Sequence, residues 1–180
     1  MLTKPQGHSD KTVPISARKL CITAVMAALV FIMTIVPRIP IPLGYAHLGD
    51  AAIFLVVLYI GRREGALAAS IGSAFADFIG GFPVWIIPTI IIKYIMAEIL
   101  GRVACPADGN YRLFSVRTML GLVLSSIWMA FGYTIAGAIL YGSLPVGLTS
   151  APGLLLEGVI NILAAYGVGS FLNKIESYKF

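Results

Sequence analysis

Charge is what this sequence has least of. It holds 13 lysines and arginines and 8 aspartates and glutamates among 180 residues, 12% in all, where a soluble domain carries about 25%. With 58% hydrophobic residues, the chain has enough apolar mass for a core but too few polar side chains to cover it. Lipid is therefore the expected solvent. Histidine is also scarce, with only His8 and His47. There is no H-E-x-x-H, G-x-S-x-G or G-x-x-x-x-G-K sequence, which excludes the zinc-hydrolase, serine-hydrolase and nucleotide-loop chemistries that those spacings support. Energy from ATP would have to come through another polypeptide. The two cysteines, Cys21 and Cys105, have no metal-type spacing; both are expected near the cytoplasmic side, as free thiols. No internal repeat is visible, which disfavours the transporter architectures built from paired halves.

What is present is a series of apolar spans. Residues 1–16 are polar and are expected to form a flexible cytoplasmic tail; the length of that tail, and the number of apolar segments after it, argue against a cleavable signal peptide. Residues 17–180 form one membrane domain. Its spans are expected at 17–36, 50–59, 64–79, 83–100, 116–140 and 153–172, lengths that suit a bilayer at about 1.5 Å per residue, the second being marginal. The fold class is therefore all-α: an integral membrane protein with six transmembrane helices in a compact bundle. Segment 37–49, with three prolines and two glycines, cannot be a continuous helix and is too apolar for a solvated loop. It is expected to lie as a structured segment over the outer face, and 141–152 is a second Gly/Pro-containing loop.

Orientation follows from the cations. With the N-terminus inside, eleven Lys and Arg residues fall on inner segments, Arg38 alone falls in an outer loop, and Lys93 sits within a span. Both termini are thus expected in the cytoplasm, with the net charge of +5 serving membrane orientation rather than nucleic-acid binding.

Once topology is set, the polar residues can be ranked by depth. Asp50 and Asp77 lie near the outer face. Glu157 is one turn into the sixth span, with Asn161 one turn deeper on the same face. Lys93 is about 15 Å beyond Pro83, near mid-membrane. Trp85, Thr89 and Lys93 form one stripe on the fourth span; Ser126, Met129 and Tyr133 share a face of the fifth, with Trp128 nearby; Ser70, Ser73 and Asp77 share one on the third. Together with His47 in the outer loop, these groups describe an outward-facing pocket with aromatic walls and a few convergent polar groups. Simpler roles stand beside this one. Asp50 is placed to cap the second helix, Asp77 to brace the Gly80-Gly81 turn, and Lys93 to be neutralised by a carboxylate of another helix. Glu98 is placed to pair with Arg102 at i,i+4. Trp85 and Trp128 could equally anchor the membrane interface.

Three stretches carry a family resemblance: HLGDAAIFL (47–55), GRREGALA (61–68) and GSAFADFIGGFPVWIIPTIIIK (72–93). The chain resembles, over nearly its whole length, the substrate-binding S component of energy-coupling factor (ECF) vitamin transporters. The similarity is to the riboflavin-transporter-like branch, with its hydroxymethylpyrimidine and pyridoxine types. The Gly-Asp opening of the second span and the A-D-x-x-G-G turn are the specific features. The resemblance implies a cell-membrane subunit without catalytic activity that captures a vitamin from outside. It also implies partners, namely a transmembrane coupling subunit and two cytoplasmic ATPases that hold ATP-Mg, while this chain binds no cofactor or metal. The family's Ala-x-x-x-Ala motif is matched by Ala24 and Ala28, which the resemblance assigns to docking on the coupling subunit; by themselves they permit close helix approach. Glu157 with Asn161 would suit hydroxymethylpyrimidine or a pyridoxine-type vitamer; riboflavin, folate and pantothenate remain alternatives. A self-sufficient ion-coupled transporter using Asp77, Lys93 and Glu157 as a proton relay is the competing class.

Overall fold

The computed structural model describes residues 16–104 and 112–177, with side chains through 174. The expected tail up to residue 15, and Cys105, lie outside the described residues. The elements run α1 (Ala17–Ile35), β1 (Ile39–Ile41), β2 (Gly44–Ala46), α2 (Gly49–Tyr59), α3 (Arg62–Gly80), a 3-10 turn (Pro83–Trp85), α4 (Ile86–Ala104), α5 (Val116–Leu140), α6 (Leu144–Leu148) and α7 (Ala151–Ser177). The fold is all-α apart from one antiparallel hairpin, β1–β2. Four of the helical stretches, Ala17–Ile35, Pro83–Ala104, Val116–Leu140 and Leu144–Lys174, are long and apolar enough to cross a membrane. Of the other two expected spans, α2 is short, with 11 residues, and α3 carries Arg62, Arg63, Glu64 and Asp77.

α2 sits at the centre. It packs against α1, α3, α4 and α7, and nine of its eleven residues are buried. Its sequence, GDAAIFLVVLY, has no polar face because no face meets solvent or lipid. α3 packs on α1 and α2 through small residues. A Cβ at Gly65 would stand 2.6 Å from Val57 Cγ2, and one at Gly72 would meet the Ala27 carbonyl oxygen and Val30. In lipid, where apolar burial gives no drive between helices, this close approach supplies the dispersion contacts that hold them. Hydrogen bonds add registry between α4 and α5: Trp128 Nε1–H donates to the Ile92 carbonyl at 3.1 Å and Ser125 Oγ–H to the Met96 carbonyl at 3.0 Å.

The segment expected to cover one face is the hairpin. Ile39 pairs with Ala46 and Ile41 with Gly44, leaving Pro42 and Leu43 as the turn. Leu43 takes φ 64°, a left-handed conformation that usually falls to glycine or asparagine. At the opposite end of the bundle the charges are paired. Glu98 Oε2 lies 2.9 Å from both Arg102 and Arg62, and Lys19 lies 3.2 Å from Glu64. The expected Glu98–Arg102 pair is thus present, and Arg62 joins it from α3.

Candidate functional site

A cavity of about 60 Å³ lies beneath the hairpin. Ile41, Leu43 and Tyr45 roof it, Phe82, Trp85 and Tyr133 supply aromatic walls, and Asp77, Lys93, Glu157 and His47 bring the charged and titratable groups. Ser150 and Leu154 close the side next to α7. The aromatic rings form a continuous set: Tyr45 is 5.3 Å from Phe82 and 5.7 Å from His47, and Trp85 is 5.7 Å from Tyr133, centroid to centroid. These are edge-tilted separations at which rings attract.

The start of α2 explains much of the polar arrangement. Leu48 precedes the helix and offers no side-chain cap, so the first N–H groups need other acceptors. His47 Nδ1 accepts from the Gly49 N–H at 3.1 Å, and Asn161 Oδ1, reaching from α7, accepts from the Ala51 N–H at 2.7 Å. Asn161 Nδ2 donates to the carbonyls of His47 at 2.8 Å and Glu157 at 2.9 Å. Its amide is saturated and wholly buried, so it stands behind the cavity as a cap supplied from another helix rather than in the lining. Glu157 Oε1 accepts from the His47 backbone N–H at 3.2 Å. It also lies 3.1 Å from His47 Nδ1, but this is no ion pair. Burial, followed by the Lys93 ammonium, lowers the His47 pKa to about 4, and the Gly49 amide already occupies the Nδ1 lone pair.

Lys93 hydrogen-bonds Asp50 Oδ1, and both side chains are 1% exposed. Asp50 therefore does not cap α2 with its side chain; the helix places it to meet a cation from α4. Lys93 still lines the cavity and lies 5.2 Å from the Tyr133 ring centroid. Thr89, one turn before it, accepts a hydrogen bond from Tyr133 Oη–H at 3.0 Å and fixes that ring. Trp128 is held to the α4 backbone and does not line the cavity. Of the residues picked out by sequence, the fold gathers His47, Asp77, Trp85, Lys93, Tyr133 and Glu157 around one space, with Thr89 and Asn161 directly behind it.

Two residues escaped the sequence reading. Arg38 lies 4.3 Å above the Tyr45 ring and donates from Nη2 to the Ala76 carbonyl at 3.4 Å. Tyr45, on β2, has its phenol pushed up to about 12 by burial and then by Asp77, which keeps its O–H neutral. The available signal was that Arg38 is the one cation in the 37–49 segment, beside a lone tyrosine.

Ala24 and Ala28 lie elsewhere. With Leu20, Ala27, Gly72 and Phe75 they line an apolar groove of about 360 Å³ between α1 and α3. Among the described residues no group of three or more His, Cys, Asp or Glu side chains could hold a metal ion.

The family model described as "ECF-type riboflavin transporter, S component" matches residues 14–174. The chain belongs to this family. A relative from Pyrococcus woesei, described as an uncharacterized protein in the gap 3′ region, is 36% identical over 148 residues, which cover 81% of this chain and 95% of the relative. As an ECF S component the protein is a membrane-embedded, vitamin-binding transport subunit rather than an enzyme, and it works with other ECF transporter subunits.

Proposed function

We propose that the cavity under the hairpin captures a single-ring vitamin or vitamin precursor, of hydroxymethylpyrimidine or pyridoxine type, from outside the cell. The observation that carries this is the cavity itself: about 60 Å³, walled by Trp85, Tyr133 and Phe82, with carboxylates at two sides. Pockets for drug-sized ligands run to roughly 300–1,000 Å³, so a tricyclic flavin with its hydroxylated chain needs far more rearrangement than one small ring does. His47, Asp77, Trp85, Lys93, Tyr133 and Glu157 make the contacts, and Thr89, Asn161 and Trp128 hold them in place. Riboflavin, folate and pantothenate are the alternatives for the same role. Nothing favours the proton relay, because Lys93 is committed to Asp50.

The hairpin end faces outward and both termini lie in the cytoplasm. The Lys19, Arg62 and Arg102 cluster at the far end supports this orientation under the positive-inside rule. The coupling subunit docks along the groove lined by Ala24 and Ala28, and two ATPases binding ATP-Mg drive uptake; this chain binds no cofactor of its own. Mass spectrometry of the small molecule released from purified protein tests the substrate. A pyrimidine or pyridine vitamer is expected; recovery of riboflavin, folate or pantothenate would reject the small-ring assignment.

A further inference from the structure

The ionisable groups at the cavity are unequally partnered. Asp50 on α2, Asp77 on α3 and Glu157 on α7 contribute three carboxyl groups. Lys93 on α4 and Arg38 before β1 contribute two cations. The remaining titratable groups, His47, Tyr45 and Tyr133, are neutral: His47 Nδ1 accepts the Gly49 N–H, and the tyrosines keep their protons. What decides the site is how each carboxyl group is partnered, because an unpaired ion in apolar surroundings is costly.

Geometry singles out Asp77. Asp50 is paired with Lys93, and Glu157 is met by the His47 N–H. Arg38 faces a ring and a carbonyl. Asp77 forms no ion pair among the described residues, and its Oδ2 is buried without a hydrogen-bond partner. It also sits in the last turn of α3, where the helix carbonyls add negative potential. Trp85, also in the lining, is 6% exposed and its Nε1–H likewise has no partner. The lining therefore offers a carboxylate acceptor without an ion-pair partner and a free indole donor.

We infer that this cavity selects a planar, positively charged nitrogen heterocycle, with Asp77 as its counter-ion and the Trp85 indole N–H donating to an acceptor on the ligand. The inference rests on the cavity being the vitamin site. Aromatic walls suit such a ligand twice over, by stacking and by attraction of a cation to ring faces. Riboflavin is neutral and an acidic vitamin is anionic, so neither supplies a cation to pair with Asp77.

The test is calorimetric titration of the purified full-length protein in detergent at pH 7.5. The probes are hydroxymethylpyrimidine, pyridoxine, the charge pair 3-(hydroxymethyl)pyridine and N-methyl-3-(hydroxymethyl)pyridinium, nicotinate and riboflavin. The permanently cationic N-methyl-3-(hydroxymethyl)pyridinium is expected to bind at least ten-fold more tightly than neutral 3-(hydroxymethyl)pyridine, and nicotinate most weakly of the small rings. Asp77→Asn should erase that preference, bringing the two charge forms within three-fold of each other. Trp85→Phe should weaken both forms alike. The charge preference is read on the unmodified protein, so a variant that fails to fold leaves the comparison intact. Small-ring binding with no preference for the cation, or a preference that survives Asp77→Asn, overturns the inference alone. Binding of riboflavin only, or of no probe, overturns the small-ring function and this inference with it.

Discussion

Lys93 on α4 and Asp50 on α2 meet as an ion pair in which each side chain is 1% exposed, directly beneath the aromatic cavity. The pair ties the central helix to α4, which carries Thr89 and follows directly on the Trp85 turn. Removing one partner from a buried pair leaves an uncompensated charge and typically costs about 3–5 kcal/mol, whereas replacing both with apolar groups is often neutral. Lys93→Met should therefore lower the thermal midpoint in detergent sharply, and the Asp50→Leu, Lys93→Met double variant should recover most of the loss. A single variant as stable as the parent would show that the pair does not hold α2 in place.

Glu157 and Asn161, one turn apart on α7, should separate in their effects. Asn161→Ala leaves the Ala51 N–H and the His47 carbonyl buried without their partner. This should cost about 1–3 kcal/mol of stability. Glu157→Gln keeps an acceptor for the His47 N–H but removes the charge; it should weaken vitamin binding with little change in unfolding temperature. Paired melting curves and titrations decide the point, and the reverse pattern would exchange the two roles.

His47 links stability to acidity. Its folded pKa of about 4 lies below the ordinary value of 6.5. Between those values the unfolded chain binds a proton that the folded one does not, so stability rises with pH across this window. The contribution is complete above pH 6.5 and is lost as pH falls toward 4, by up to about 3 kcal/mol. His47→Gln should flatten the stability profile between pH 4 and 6.5. A profile of unchanged slope in that variant would assign the acid sensitivity to other groups.

Ala24 opens onto the groove between α1 and α3, well away from the cavity. Ala24→Trp should fill that groove and abolish copurification with the coupling subunit, while vitamin affinity stays within two-fold of the parent. Survival of the complex would remove this face from the docking surface.

Much of the fold was legible because lipid imposes long apolar runs broken by Gly and Pro. The expected span 116–140 coincides with α5, and the others differ from their helices by a few residues. The stripe Trp85–Thr89–Lys93 faces inward as its spacing of four requires. Partners were harder to foresee because pairing is non-local. Asp50 looked like a helix cap, yet its partner lies 43 residues away. Asn161 looked like a ligand group because two polar residues one turn apart inside a span need partners. Its partners turned out to be backbone groups 110 and 114 residues distant. Arg38 and Tyr45 were missed because their role comes from the fold of the hairpin, and 37–49 has no periodicity to read.

The central position of α2 has a mechanical consequence. Nine of its eleven residues touch only protein, so its short length sets no demand on bilayer thickness; α1, α4, α5 and α7 meet the lipid and absorb any mismatch by tilting. Asp50, Gly49 and the His47 loop hang from this insulated strut. The cavity under the hairpin can therefore hold its shape in thick and thin membranes alike, while the outer helices are left to move with the lipid around them.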